Sequence, residues 1–578
     1  MACVCQTNTA PRFRRAQDDQ QDGLAAQRSL LAVDARLDNR GELIAKLDLP
    51  DRAVDDPSLV LLGYRRWGEQ IVDHILGDFA IAAWDPIAGV LTLIRDPTGQ
   101  RPLHYRRTGE LVAFASMPQG LFGLGPCRPD TARLGRFVAD VHQAGPETFY
   151  EGILRVEPAQ IVRITRDEVR ARTYWSMPTH ELRYRDERDY VEAYREQLDR
   201  ATRARLRGHD GLVAAHLSAG LDSGAVATTA ARLLAGEGRV LAVTSAPRLG
   251  FAGPVPSGRI ADESEIAATV VARYPNLEHL ILRSGGASPL ASLESDSRLF
   301  AQPVGFPCNN VWWRAANAAA QARGAGIMLT GEMGNLTISA GGLGVLADFI
   351  RGGDVLRWAR EMIALRRNGP RWRGLMAASF APWMSDKLWN ALTRLSAGGR
   401  GDASGQLSPV TSVQTTTSPT YRSERDRRWA LLKQVDPGTF RKGAWLNWGV
   451  EERDPTSDRR LIEFCFSLPP SQLLGAGKTR RLARSALSDR LPATILDGVR
   501  GYQFADWFEE LDRDALARFA DKVAASPAAA AAVDFDAVHR LIAEWPVGGW
   551  ASARTIGTYR IGLLRALSAG AFALNACD

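Results

Sequence analysis

The stretch Leu217-Ser218-Ala219-Gly220-Leu221-Asp222-Ser223-Gly224-Ala225-Val226 constrains this chain more than any other. An apolar run, Leu212 to Leu217, breaks off at small and polar residues, and an Ala/Leu-rich helical pattern follows from Ala225 to Leu234. The spacing predicts strand, tight turn, helix. Such a turn leaves backbone N–H groups unpaired at a helix N-terminus, where the helix dipole favours an anion. Gly220 permits close backbone approach, Ser218 and Ser223 add hydroxyls, and Asp222 offers a carboxylate for a divalent metal between phosphates. No Lys follows the glycine, which separates the turn from a Walker loop. An ordinary Ser/Gly helix cap is the bland alternative.

A length of 578 residues exceeds a single hydrophobic core, so two or more domains are expected. Hydrophobic content of 45% and charged content of 24% are those of a soluble globular protein. No apolar run approaches the roughly 18 residues of a membrane span, and no signal core opens the chain, so a cytoplasmic enzyme without a membrane partner is expected. The six cysteines carry no C-x-x-C pair and histidines number eight, which argues against a structural zinc site or a disulfide framework. A net charge of +7 with no dense basic run gives no argument for a nucleic-acid partner.

The pattern S-x-G-x-D-S, Ser218 to Ser223, resembles the pyrophosphate loop of the ATP-pyrophosphatase superfamily, whose members split ATP to AMP and pyrophosphate. Around it the pattern alternates. Strands are predicted at Leu212–Leu217, Val240–Ser245, Leu277–Leu282 and Ile327–Thr330, and helices at Ala225–Leu234, Glu263–Tyr274 and Val311–Ala322. That is a doubly wound α/β domain with a parallel sheet, whose ligands sit at the carboxyl ends of the strands. A Glu/Arg-rich helix, Glu187 to Arg207, precedes it.

From Leu30 to about Trp175 the reading is short strands with one helix, Pro57 to Trp67. Val33–Leu47 and Arg95-Asp96-Pro97-Thr98-Gly99-Gln100-Arg101-Pro102-Leu103-His104-Tyr105 resemble the N-terminal glutaminase domain of asparagine synthetases, the second through its R-D-x-x-G-x-K-P-L-Y-Y signature. The resemblance implies an Ntn-hydrolase-like sandwich domain over residues 1–180. Residues 181–578 then form an asparagine synthetase-like ATP-pyrophosphatase domain, adenine nucleotide α hydrolase-like, with helical additions. The departures matter. Such a glutaminase needs Cys directly after Met, with a free α-amine as base, and here Ala2 stands there while Cys3 and Cys5 follow. The oxyanion pair Asn-Gly is replaced by Asp34-Ala35, and an anionic Asp34 repels a developing oxyanion. Glutamine hydrolysis is expected to be lost.

Thr330-Gly331-Glu332-Met333-Gly334-Asn335-Leu336-Thr337-Ile338-Ser339 stands where asparagine synthetases read G-E-G-S-D-E, with Asn335 at the family's Asp. This variant, together with Arg453 to Cys465 and the segment Arg500-Gly501-Tyr502-Gln503-Phe504-Ala505-Asp506-Trp507, resembles the lasso-peptide cyclases, a branch of that family. Gly477 to Arg484 resembles the family's K-x-x-L-R-x-A stretch, with Arg480 at its first Lys and Lys478 close by. The resemblance implies ATP and Mg2+ as cofactors. It places Leu217, Ser218, Gly220, Asp222, Ser223, Ser245 and Gly331 at ATP and pyrophosphate, and Asp222 and Asn335 at the metal. Glu332 would orient or deprotonate an amine, Arg500 would stabilise phosphate charge, Lys478 and Arg480 join them as catalytic candidates, and Asp262, Glu263, Asp458 and Asp506 are weaker candidates.

The function so implied is adenylation of an Asp or Glu side chain in a precursor peptide, followed by attack of the peptide's own N-terminal amine to close an isopeptide (macrolactam) ring. The implied partners are the precursor core peptide and a leader-peptide protease. A small-molecule amide or β-lactam synthetase, an ammonia-dependent asparagine synthetase, and a non-catalytic scaffold stay open as alternatives. The Gly/Ser/Thr/Pro-rich segment Ser396 to Thr420 is predicted to be a long mobile loop, and a plain surface insertion explains it equally well. If the glutaminase is lost, replacing Cys3 and Cys5 together leaves product formation unchanged in an ATP-consumption assay. A dead double variant would return glutamine to the reaction.

Overall fold

The structure, a computed structural model, describes residues 3–5, 30–50, 53–141, 143–367, 372–385, 407–408 and 421–576. The loop expected at 396–420 lies outside the described residues apart from 407–408. Alternation builds the N-terminal half. In the strand Gly77–Asp85, Phe79, Ile81 and Ala83 join the core under the helix Asp56–Trp67. The intervening Ala80 and Ala82 face Tyr105, Val112 and Phe114 of a second sheet, as a period of two requires. The first sheet runs in the order Leu30–Leu37, Gly77–Asp85, Val90–Arg95, Gln160–Ile164, Val169–Thr173. The second runs Cys3–Cys5, Leu111–Ala115, His104–Thr108, Ile153–Arg155. Ala113 and Ala115 turn outward into a core shared with the helix Thr131–Val138 and with Phe572 of the helix Leu564–Asn575. Two sheets with a helical layer on each side result, and the outer layer on one side is supplied from near the chain's far end.

The second half carries a five-stranded sheet, parallel throughout. Its spatial order is Leu277–Arg283, Arg239–Ala246, Leu212–His216, Ile327–Leu329, Glu451–Arg453. Four of these strands are the predicted ones. The fifth, Glu-Glu-Arg, has no apolar run to announce it, because Glu451 pairs with Arg101 and Arg453 while Glu452 accepts from Asn317 Nδ2 at 2.9 Å. The connections reverse direction between Leu212–His216 and Ile327–Leu329, which opens a crevice at their carboxyl ends. Val213 and Ala215 face one core, and Ala214 faces the other. Cys127 is disulfide-bonded, while Cys308 and Cys465 are free and buried. Among the described residues no helix is long and apolar enough to cross a membrane.

Buried charge joins the halves. Arg205, near the end of the helix Glu187–Leu206, pairs with Asp38 and, at 3.2 Å, with Asp78, and Arg36 pairs with the same two carboxylates. Burial pushes the Asp78 carboxyl up, but Arg205 and Arg36 outweigh it and hold it well below the usual carboxylate range. Arg95 Nη1 reaches Asp436 Oδ2 at 3.0 Å, so the turn Arg95–Arg101 is tied to the second half as well. Removing one partner from such a network strands the others in low dielectric. Arg205→Ala is therefore expected to destabilise the protein by about 3–5 kcal/mol, read as a lowered denaturant midpoint. A midpoint within error of wild type would mean that water already solvates the cluster.

Candidate active site

The loop after strand Leu212–His216 folds on its own hydroxyls. Leu217 N–H donates to Val243 O at 2.9 Å, which sets the loop level with Ser245 at the end of the neighbouring strand. Ser223 Oγ accepts from Ser218 N–H at 3.1 Å and lies 2.7 Å from Ser218 Oγ, while Ser218 Oγ accepts from Gly220 N–H at 3.1 Å. A Cβ on Gly220 would press on Ser218 Oγ at 3.0 Å. The helix Leu221–Leu233 starts at Gly220 with no side-chain cap. Its first-turn N–H groups at Leu221, Asp222 and Ser223 have no hydrogen-bond partner among the described residues. An uncapped helix start at the carboxyl edge of a parallel sheet is an anion cradle.

Asp222 projects against the loop Gly331–Gly334. A Cβ on Gly334 would overlap its carboxylate, and one on Gly331 would meet its backbone carbon at 3.0 Å. Burial raises the Asp222 carboxyl to about 6, with Ser339 and Arg500 pulling it back down, and its Oδ1 is buried without a hydrogen-bond partner. Such an oxygen fits a divalent cation. No cluster of three His, Cys, Asp or Glu is arranged to hold one among the described residues, so the remaining ligands would come from phosphate and solvent. Arg500 Nη2 donates to Asn335 Oδ1 at 3.4 Å. Asp222, Asn335 and Arg500 therefore share one corner of the crevice.

Glu263 links this corner together. Burial raises its carboxyl, and the nearby backbone N–H groups of Gly501 and Ala219 pull it back down. The segment Arg500–Gly501 pairs in parallel with Arg259–Ile260, and a Cβ on Gly501 would overlap the Glu263 carboxylate. Glu263 thus positions the cradle and the Arg500 segment together. Glu332 stands half-exposed at the crevice, and its Oε2 accepts from Arg441 Nη2 at 2.9 Å.

The other candidates are placed differently. Asp262 caps Ser264 N–H at 2.8 Å and pairs with Arg283 at 3.1 Å. Asp458 caps the helix Arg459–Ser467 through Arg460 N–H and Leu461 N–H. Asp506 is fully buried, accepting from Arg248 N–H at 2.8 Å and from the Ser284 hydroxyl at 2.7 Å, so it pins two strand-end loops. Lys478 is exposed on the hairpin Leu474–Gly475/Lys478–Thr479, and neither it nor Arg480 makes a hydrogen bond or ion pair with the cradle among the described residues. Sequence reasoning missed Arg441, whose signal was a cationic pair, Arg441-Lys442, inside an otherwise apolar and small-residue helix.

Residues 193–558 match the Asparagine synthase family, and residues 25–175 match a glutamine amidotransferase domain. This chain belongs to the asparagine synthase family. Asparagine synthetase [glutamine-hydrolyzing] 3 of Bacillus subtilis (strain 168) is 28% identical over 207 residues, 35% of this chain and 33% of that protein. Asparagine synthetase [glutamine-hydrolyzing] 2 of the same organism is 30% identical over 218 residues, 35% of this chain and 29% of that protein. The amidase chry2 of Gibberella zeae is 30% identical over 188 residues, 31% of this chain and 27% of that protein. The chain thus spans about a third of the length of these curated relatives. A solved glutamine phosphoribosylpyrophosphate amidotransferase from B. subtilis covers 49% of this chain and 65% of its own at 15% identity and a TM-score of 0.21, too slight a likeness to carry an argument.

Within this asparagine synthase family member the amidotransferase-type half holds Asp34 as an anion. Burial pushes its carboxyl up, and Arg101 and Lys442 more than reverse that. Lys442 Nζ donates to Asp34 Oδ2 at 3.0 Å. A fixed acceptor cannot donate to an oxyanion.

The raised Asp222 carboxyl gives a testable sign. A group whose carboxyl is raised on folding adds stability below its ordinary value, and that contribution is lost as pH rises through about 6. At neutral pH Asp222→Asn is expected to stabilise the nucleotide-free protein by on the order of 1–3 kcal/mol while abolishing magnesium-dependent pyrophosphate release. A lower melting temperature together with retained release would remove Asp222 from the metal.

Proposed function

We propose that this protein is an ATP-dependent peptide cyclase of the lasso type, which joins an Asp or Glu side chain of a precursor peptide to that peptide's N-terminal amine. The reading is carried by the pairing of an open helix-start cradle with an anionic Asp34 at the position where the resemblance puts an oxyanion donor. The helix start at Gly220–Ser223 is free to take an anion, whereas Asp34 is locked to Lys442 where a glutaminase needs an oxyanion donor. The motif Gly331 to Ser339, with Asn335 in it, supports the same branch of the family by resemblance.

The first-turn N–H groups of Leu221, Asp222 and Ser223 and the hydroxyls of Ser218 and Ser223 hold the β- and γ-phosphates of ATP. Magnesium at Asp222, with Asn335 beside it, would neutralise phosphate charge and make pyrophosphate a better leaving group. The peptide carboxylate attacks the α-phosphorus, the bond to the β-phosphate oxygen breaks, and an acyl-adenylate and pyrophosphate form. Arg500, beside Asn335 and facing Asp222, stabilises the charge that builds on the phosphates. The peptide's amine then attacks the acyl carbon and AMP leaves, so the peptide loses one water overall. Glu332, fixed by Arg441, orients that amine, and holding both ends of one peptide in a single crevice supplies the proximity. ATP and Mg2+ are the cofactors on this reading, and the partners are the precursor peptide and the protease that frees its amine.

The test is mass spectrometry of a leader-free core peptide incubated with the protein, ATP, magnesium and the leader protease. Loss of one water matched by AMP and pyrophosphate is the expected result. An unchanged peptide with ATP still consumed would select a small-molecule amide or β-lactam synthetase, turnover of aspartate with ammonium an ammonia-dependent asparagine synthetase, and no ATP consumption a scaffold.

A further inference from the structure

The register Ala214↔Met328 and Ala215↔Leu329 carries on to His216 opposite Thr330, just beyond the strand ends. Ala214 and Met328 share one core, and Ala215 and Leu329 share the other. By alternation His216 and Thr330 therefore turn to the Ala214 side, toward the helix Pro307–Ala322. There the His216 ring meets Trp312 edge-on, with centroids 4.8 Å apart. Each of these three side chains carries an unsatisfied polar atom: His216 Nε2, Thr330 Oγ1 and Trp312 Nε1 are each buried with no hydrogen-bond partner among the described residues. Thr330 as a whole is 1% exposed. His216 directly precedes the nucleotide cradle, and Glu332 follows Thr330 by two residues, so the cluster belongs to the same crevice.

The donors and acceptors define what fits. Trp312 Nε1–H only donates, and so asks for a carbonyl-type acceptor. Burial pushes the His216 imidazole down to about 4, against the pull of Glu332, so the ring is neutral and offers one lone pair as well as one N–H. With the Thr330 hydroxyl beside it and the Glu332 carboxylate at the rim, that side asks for N–H donors. Leaving three such atoms unpaired in a buried place costs free energy that a matching ligand recovers. A donor nitrogen and an acceptor oxygen within one small unit is an α-amine with its adjacent carbonyl, the first residue of a peptide. Free ammonia offers the nitrogen alone.

We propose that His216, Thr330 and Trp312 form the subsite for the nucleophile, binding an α-amino group through His216 and Thr330 and the carbonyl next to it through Trp312. The subsite rests on the reading that the attacking amine is carried by a peptide. It accounts for selectivity: the adenylate is met by an amine whose neighbouring carbonyl is already recognised.

The probe is glycinamide, an α-amine with an adjacent carbonyl, titrated into the full-length protein labelled with 15N-histidine. The His216 signal is assigned by its absence in His216→Gln. A saturable shift of that signal is expected. N-acetylglycinamide, with the amine blocked, and methylamine, without the carbonyl, should each bind about tenfold more weakly or worse. Trp312→Phe, which keeps a ring beside His216, should weaken glycinamide by a similar factor while leaving methylamine binding as it was. An unmoved His216 signal, or equal response to N-acetylglycinamide, overturns the subsite and leaves the crevice to water. The two readings separate cleanly. Glycinamide bound by a protein that cyclises no peptide keeps the subsite and sinks the cyclase, and a cyclised peptide with no glycinamide binding does the reverse.

Discussion

Arg205 is the charge on which the rest of the structure depends. Its guanidinium is buried between Asp38 and Asp78 of the N-terminal half, and its Nε donates to Asp454 O at 3.2 Å. Its own carbonyl accepts from Arg453 Nη1 at 2.7 Å. One residue thereby joins the N-terminal sheet, the helix Glu187–Leu206 and the outermost strand of the parallel sheet. The chain of bonds continues inward, because Asp454 Oδ2 accepts from Met333 N–H at 3.0 Å. Met333 lies between the two glycines that make room for Asp222. Buried charges tolerate few arrangements, since each must be paired or leave an ion in low dielectric, and this intolerance transmits a fixed geometry from the domain boundary to the crevice.

The helix Gly438–Trp448 makes the second such connection. Its neighbouring residues Arg441 and Lys442 serve different halves, the first reaching Glu332 and the second Asp34. The amidotransferase-type half, through Asp34, is in this way tied to the same helix that holds Glu332 at the crevice. Arg101 stands at the same boundary, paired with both Asp34 and Glu451, so the signature Arg95–Tyr105 that resembles a glutaminase is occupied here in holding the halves together.

Much of this was legible from local chemistry. The run Leu212–Leu217 ends in Ser, Gly and Asp, and a strand followed by a cradle was the reading such residues allow. Even so, the helix begins at Leu221 rather than Ala225, because Asp222 and Ser223 lie inside its first turn and not before it. What stayed hidden depends on distant partners. Glu263 reads as an ordinary acidic residue at a helix start until Gly501 and Ala219 are brought to it. Asp506 and Asp458 share the composition of catalytic acids but spend their lone pairs on backbone and hydroxyl donors. His216 ends an apolar strand, and only the register with Thr330 and the approach of Trp312 give it company.

The helix Leu564–Asn575 covers a sheet made from the first part of the chain. During synthesis that sheet therefore emerges with one face only partly covered, by the helix Thr131–Val138, and the parallel sheet is translated in full before the helix Leu564–Asn575 leaves the ribosome. The two halves cannot mature one after the other like beads on a string. Completion of the first waits on the last part of the second, and until then the alanine-lined face at Ala113 and Ala115 is a surface that cellular chaperones can meet.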